Sequence, residues 1–292
     1  LKRAGEGVAS LGRDAYDRGY RAIETLFGPD GVQRGNLSLL FSQIKTESGG
    51  DIHLFVPGGQ VNAGQTTPPS ESGSTKDASQ LGIIAQDVGA VRAFVRGAPA
   101  AGALPAVRGD FAVNESRVFT LRGGDILIWS SDGDIDAGRG AKTAVSAPPP
   151  ILVTDANGNT VFKFQSVSGS GIRSILTDTS IVPGDVDLIA PRGTVDAGDA
   201  GIGAAGRITI AAQFVKGADN IAGVGGITGV AVDNSASLGA SLASVAGTSS
   251  SDASRSTDRA TQSMAGSAQA VAGTRGLPSF INVEVIGFGP AR

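Results

Sequence analysis

The chain has 292 residues, a formal net charge of −3, 44 glycines, aromatic residues at 5% and no cysteine. That charge leaves no electrostatic footprint for nucleic acid, and the missing cysteine excludes disulfides and thiolate chemistry. No apolar run approaches the length of a membrane helix, and so many glycines with so few aromatics suit a corner-rich repeat with a slim aliphatic core rather than a compact enzyme.

Residues 1–30 read as an N-terminal amphipathic helix. Val8, Leu11, Ala15, Ala22 and Leu26 recur at helical spacing, and Gly28-Pro29 ends the run. Residues 31–232 read as a β-solenoid with inserted loops. A strand, NLSLLFSQI from Asn36, leads into residues 50–64, GDIHLFVPGGQVNAG. Residues 65–80 form a polar loop, residues 81–95 return to short apolar runs, and GAPAAGALPA from Gly97 is a second loop. Residues 111–121 alternate and lead into residues 124–138, GDILIWSSDGDIDAG; AVSAPPP, ending at Pro150, projects again. ILVTDANGNTVFKF from Ile151 reads as a hairpin, because Asn157-Gly158 is a favoured two-residue turn. Residues 172–177 lead into residues 184–198, GDVDLIAPRGTVDAG, and a degenerate copy, GRITIAAQFVKG, begins at Gly206. Residues 233–276 turn to Ala, Ser, Gly and Thr. Leu238, Leu242 and Val245 share one helical face there, so helices are expected instead of a linker. Residues 277–292 close the chain as an alternating strand, Phe280, Asn282, Glu284 and Ile286, which needs an edge to pair with.

The three full copies align without a gap, and each begins Gly-Asp. Period-two alternation points Ile52, Leu54 and Val56 inward in the first, Ile126, Ile128 and Ser130 in the second, and Val186, Leu188 and Ala190 in the third. A second short strand is centred on Val61, Ile135 and Val195. The glycine at position ten marks a corner where a side chain would clash or φ is positive. Such a unit buries its apolar face only by stacking on its neighbours. The 22-residue step from Gly184 to Gly206 suits one coil, whereas steps of 74 and 60 residues imply intervening coils and insertions. Position six faces out yet carries Phe55, Trp129 and Ile189, a candidate interface stripe. The N-terminal helix or the Ala-rich segment is expected to cover it, with a partner molecule as the alternative. His53 and Asp187, at position four, are expected to be exposed polar residues.

Motifs for chemistry are sparse. Residues 201–206 match GxGxxG, but a strand follows where a dinucleotide site needs a helix. Asp132, Asp134 and Asp136 alternate, so an extended strand puts three carboxylates on one face, a candidate calcium site. Ala137 and Thr143 depart from the EF-hand pattern, and Asp is also a good corner residue. No catalytic residue is assigned, and no cofactor is expected apart from calcium at those aspartates.

The segment GNLSLLFSQIKTESGGDIHLFVPGGQVNAG, the later GDIDAG and VDAG copies and the ending LPSFINVEVIGFG resemble the C-terminal region of filamentous-haemagglutinin-like exoproteins. This resemblance implies an all-β, right-handed parallel β-helix, secreted to the bacterial surface through a partner outer-membrane pore. It also implies a non-enzymatic role in adhesion or biofilm, with cell-surface glycan, protein or like subunits as partners. It carries no catalytic or receptor-binding residues. A chain starting at Leu1 without a signal-peptide pattern reads as a fragment or processed product. The alternatives are a carbohydrate-active β-helix enzyme and the stalk of a toxin-delivery exoprotein.

Overall fold

The computed structural model describes residues 16–29, 33–64, 81–140, 151–154, 157–163 and 167–230. By contacts the chain divides into residues 1–232 and 233–292. The second unit lies outside the described residues, as do the loops expected at 65–80 and 144–150, so the helices of 233–276 and the strand of 277–292 are not described.

Helix α1 (Tyr16–Phe27) precedes a run of short strands. β1 (Leu37–Ser38) opens the stack ahead of the first coil, which is β2 (Gln43–Thr46), β3 (Ile52–Val56) and β4 (Val61–Asn62). The second is β5 (Gly82–Ala85), β6 (Val91–Val95) and β7 (Phe111–Ala112); the third is β8 (Arg117–Thr120), β9 (Ile126–Ser130) and β10 (Ile135–Asp136). An antiparallel hairpin follows, β11 (Ile151–Thr154) and β12 (Thr160–Lys163), with Gly158 at φ 83° in its turn. The fourth coil is β13 (Gly171–Ser174) and β14 (Val186–Asp196), the fifth β15 (Ile202–Ala204) and β16 (Ile208–Lys216), the last β17 (Ile221–Gly223) and β18 (Ile227–Thr228). β14 turns a corner within its length, with a register shift between Ala190 and Thr194.

Every pairing between strands of different coils is parallel; one isolated antiparallel bridge joins Arg122 to Leu176. One sheet runs β3-β6-β9-β14-β16-β18 and, around the corner, β1-β4-β7-β10-β14. A second sheet runs β2-β5-β8-β13-β15-β17. The result is an all-β, solenoid-like stack with one described helix beside it.

The expected inward residues line one core. Ile52, Leu54, Val56, Ile126, Ile128, Val186, Leu188 and Ala190 belong to a single buried cluster with Val61, Ile135 and Val195. The second sheet supplies Ile83, Val118, Ile172, Ile202 and Ile221, in register coil upon coil. Each full burial contributes about 1.5–3 kcal/mol. Ala63, Ala137 and Ala197, at position fourteen, are fully enclosed at the corner, where a small side chain fits.

The coil spacing differs from expectation in one place. The 74-residue step is two coils, because Ile52 pairs Val91 and Val91 pairs Ile126. The 60-residue step is a single coil, because Val186 pairs Ile126 directly. Its extra length holds the β11–β12 hairpin rather than another coil. Residues 36–44 and 111–121 each split into two short strands, the second with Asn114 at φ 57° in its corner. The position-ten glycines work through close approach and not through positive φ. A Cβ on Gly59 would lie 2.1 Å from the Gly35 carbonyl oxygen, and on Gly193 1.9 Å from that of Gly133.

Candidate interaction surface

Parallel register turns position six into a continuous column, Phe55, Phe94, Trp129, Ile189 and Ala211, on the outside of the first sheet. α1 lies on it. Tyr16, Ile23, Phe94, Leu127, Trp129, Ile189 and Ala211 form a second apolar cluster, separate from the core. The seat centres on Gly19, where a Cβ would come within 2.2 Å of Trp129 Cη2, so only glycine lets the helix backbone rest on the indole. Tyr20 meets the same indole edge-on, with centroids 5.7 Å apart, and its hydroxyl donates to the Ser131 carbonyl at 2.7 Å. Trp129 Nε1 donates to Ser131 Oγ at 2.9 Å. Arg96 holds the end of the helix by donating Nη1 to the Gly28 carbonyl at 2.8 Å. Gly28, at φ 71°, ends the helix as the sequence predicts.

The packed face of α1 is not the expected one. Ala22 and Leu26 point to water, whereas Tyr16, Gly19 and Ile23 are buried. Periodicity of aliphatic residues alone misses a face built from glycine and tyrosines. Of the three stripe residues, Trp129 and Ile189 are fully buried, but Phe55 is 49% exposed. It stacks on Phe94 with centroids 5.6 Å apart, just past the end of α1. Phe94, in a coil without the repeat signature, is the stripe member that the sequence did not reveal.

At position four, His53 is exposed as expected, 3.1 Å from Arg92 Nη1. Asp187 is not: it is 2% exposed, in a column whose neighbours are Leu127 and Thr209.

The aspartates at the corners accept hydrogen bonds from backbone amides of adjacent coils. Asp51 Oδ1 accepts from Ala90 N at 2.8 Å, Asp125 Oδ1 from Asp185 N at 2.9 Å, and Asp185 Oδ1 from Arg207 N at 2.8 Å. This explains Gly-Asp at the head of every copy. The three calcium candidates also accept backbone amides, Asp132 and Asp134 from neighbouring coils and Asp136 from its own. Asp132 Oδ1 accepts from Gly97 N at 2.9 Å, Asp134 Oδ1 from Thr194 N at 2.7 Å, and Asp136 Oδ1 from Gly138 N at 2.8 Å. Asp134 also takes Arg108 Nη2 at 2.9 Å. Among the described residues, no three metal-binding side chains converge on one point.

Backbone-capping aspartates, three stacked parallel ladders and a side helix define a solenoid-like repeat protein whose corners hold it together. Residues 123–232, from just before β9 to just past the last coil, match the family profile described as filamentous haemagglutinin family outer membrane protein. No curated protein and no solved structure matches the chain. The resemblance to filamentous-haemagglutinin-like exoproteins is thus carried by this segment, and the chain is a secreted or cell-surface protein. No described helix is long and apolar enough to cross a membrane.

Proposed function

We propose that the chain is a non-enzymatic structural segment of such an exoprotein, a right-handed parallel β-helix serving as rod or fibre in adhesion or biofilm. The supporting observation is the corner chemistry: carboxylates that could act on a substrate accept backbone amides between coils instead. A partner outer-membrane pore would export the chain. Phe55, bare at one end of an otherwise covered stripe, offers the contact to a like subunit or to a cell-surface glycan or protein. Calcium plays no part in this reading, since capturing it would mean uncapping three corners. Electron microscopy of the intact native assembly tests the proposal. Rods or fibres are expected, and compact particles would overturn it.

A carbohydrate-active reading has one observation in its favour. A cleft of about 580 Å³ beside α1 brings Glu24, Arg96, Arg108, Asp132 and Arg192 together. Arg96, Arg108 and Asp132 are already engaged with the backbone or with Asp134. Polysaccharide incubated with the chain is expected to yield no new ends; turnover abolished by Asp132→Asn would favour the enzyme.

A further inference from the structure

The outside of the second sheet is roofed over its middle coils and open at its last. Ile84, Phe119, Leu121, Val167 and Ile175 form a small apolar cluster there. Two arginines on adjacent coils are buried beside it, Arg117 at 1% and Arg173 at 9% exposure. Arg117 donates Nη1 to the Val167 carbonyl and lies over the Phe119 ring, 5.3 Å from its centroid. Its Nε and Nη2 have no partner. Burial pushes this guanidinium down to about 10, so it stays charged at neutral pH. Arg173 has a single long hydrogen bond, Nη2 to the Ala200 carbonyl at 3.4 Å, and its Nε has none. Among the described residues neither cation faces a carboxylate; burial is the only influence on either. Removing a charge from water without a counter-charge is expensive.

Arg173 borders open space. A trough of about 480 Å³ runs from its guanidinium along the last coils, floored by Gly203, Ala222 and Gly223. Register stacks Arg173, Gly203 and Ala222 in one outward column. A Cβ on Gly203 would lie 2.7 Å from Arg173 Nη1, so glycine is what allows the guanidinium to lie flat toward the trough. The sides are aliphatic, and two of them face water: Val224 is 83% and Ile227 43% exposed.

We propose that this trough binds a small amphiphilic carboxylate, its aliphatic body on the glycine–alanine floor and its carboxylate on Arg173. The volume lies within the range of small-molecule sites, about 300–1,000 Å³, and a mostly apolar lining with one oriented polar group is their usual chemistry. A guanidinium fork matches a carboxylate in two parallel hydrogen bonds. A bound carboxylate would supply the counter-charge that Arg173 lacks. This inference is independent of the rod proposal.

The test is calorimetric titration of the full chain with octanoate and with uncharged octanamide. Octanoate is expected to bind saturably, and octanamide about tenfold more weakly or worse. Arg173→Gln should weaken octanoate by a similar factor and leave octanamide unchanged. Ala222→Phe, at an exposed position that does not enter the core, should block both ligands while far-UV circular dichroism stays that of the native chain. No saturable octanoate binding, equal binding of octanamide, or undiminished binding to Ala222→Phe would each overturn the proposal. Should Arg173→Gln fail to fold, the octanamide and Ala222→Phe arms still decide it.

Discussion

Outside the first sheet, large aromatic and aliphatic side chains are covered by a helix contributed from far upstream, and Gly19 lies flat on Trp129. Outside the second sheet, cover comes from residues near Val167 and Ile175 and stops short, leaving Ala222 bare beyond a buried cation that lies over Gly203. Inward, both sheets present the same aliphatic ladders. The difference teaches that the stack needs only its inner ladders and corners to exist. Its outer faces are free to differ, and any specific binding is written there.

The largest expected effect removes what the two faces share. Ile126 is fully buried between β6 and β14, so Ile126→Asp should destabilise the whole stack by about 4 kcal/mol or more, read by denaturant unfolding. Near-native stability would mean that the two sheets do not share a core. Gly19→Val should break the first face alone. The added atoms have no room against Trp129, at a cost of about 1–3 kcal/mol. Because Trp129 is the only tryptophan, its emission should shift to the red while the β-sheet circular dichroism persists. Asp125→Ala should weaken a corner by about 1–3 kcal/mol, because the Asp185 amide loses a charged acceptor. Phe55→Ser should cost no more than about 1 kcal/mol, yet reduce any self-association, measured by sedimentation.

The smallest effect is that of pH. The Ala90 amide, and after it Arg92, hold the Asp51 carboxyl below its ordinary value. Its contribution is therefore present above the unfolded value, near about 4, and lost as pH falls through the depressed one. Exposure keeps it small. Melting followed from pH 6 to 2 should show an acid-side loss that is slightly smaller in Asp51→Asn.

Period-two alternation was enough to set the inward residues, because a half-buried strand forces it. The strands of the second sheet were visible only as isolated apolar runs, since they fall outside the repeated fifteen residues. The 60-residue coil could not be told from two shorter ones, because a hairpin inserted at a corner leaves the pairing untouched. The seat of α1 was hidden for a different reason. It is defined by the shape of an indole more than 100 residues away, and Gly19 counts against a helix when read alone. Likewise, nothing local marks Arg173 as lacking a carboxylate; only three-dimensional stacking reveals it.

The corner caps have a direction. At Asn36, Asp51, Asp110, Asp125, Asp134 and Asp185, the accepting oxygen sits on the earlier coil and the donating amide on the later one. Asp132, which reaches back to Gly97, runs the other way. A coil already in place therefore offers an open strand edge and pre-aimed acceptors to whatever segment arrives next. A coil forming from the opposite end would bring amides with nothing to receive them. The stack is thus a one-way template, suited to a chain delivered from its N-terminal side, in which each finished turn is the mould for the next.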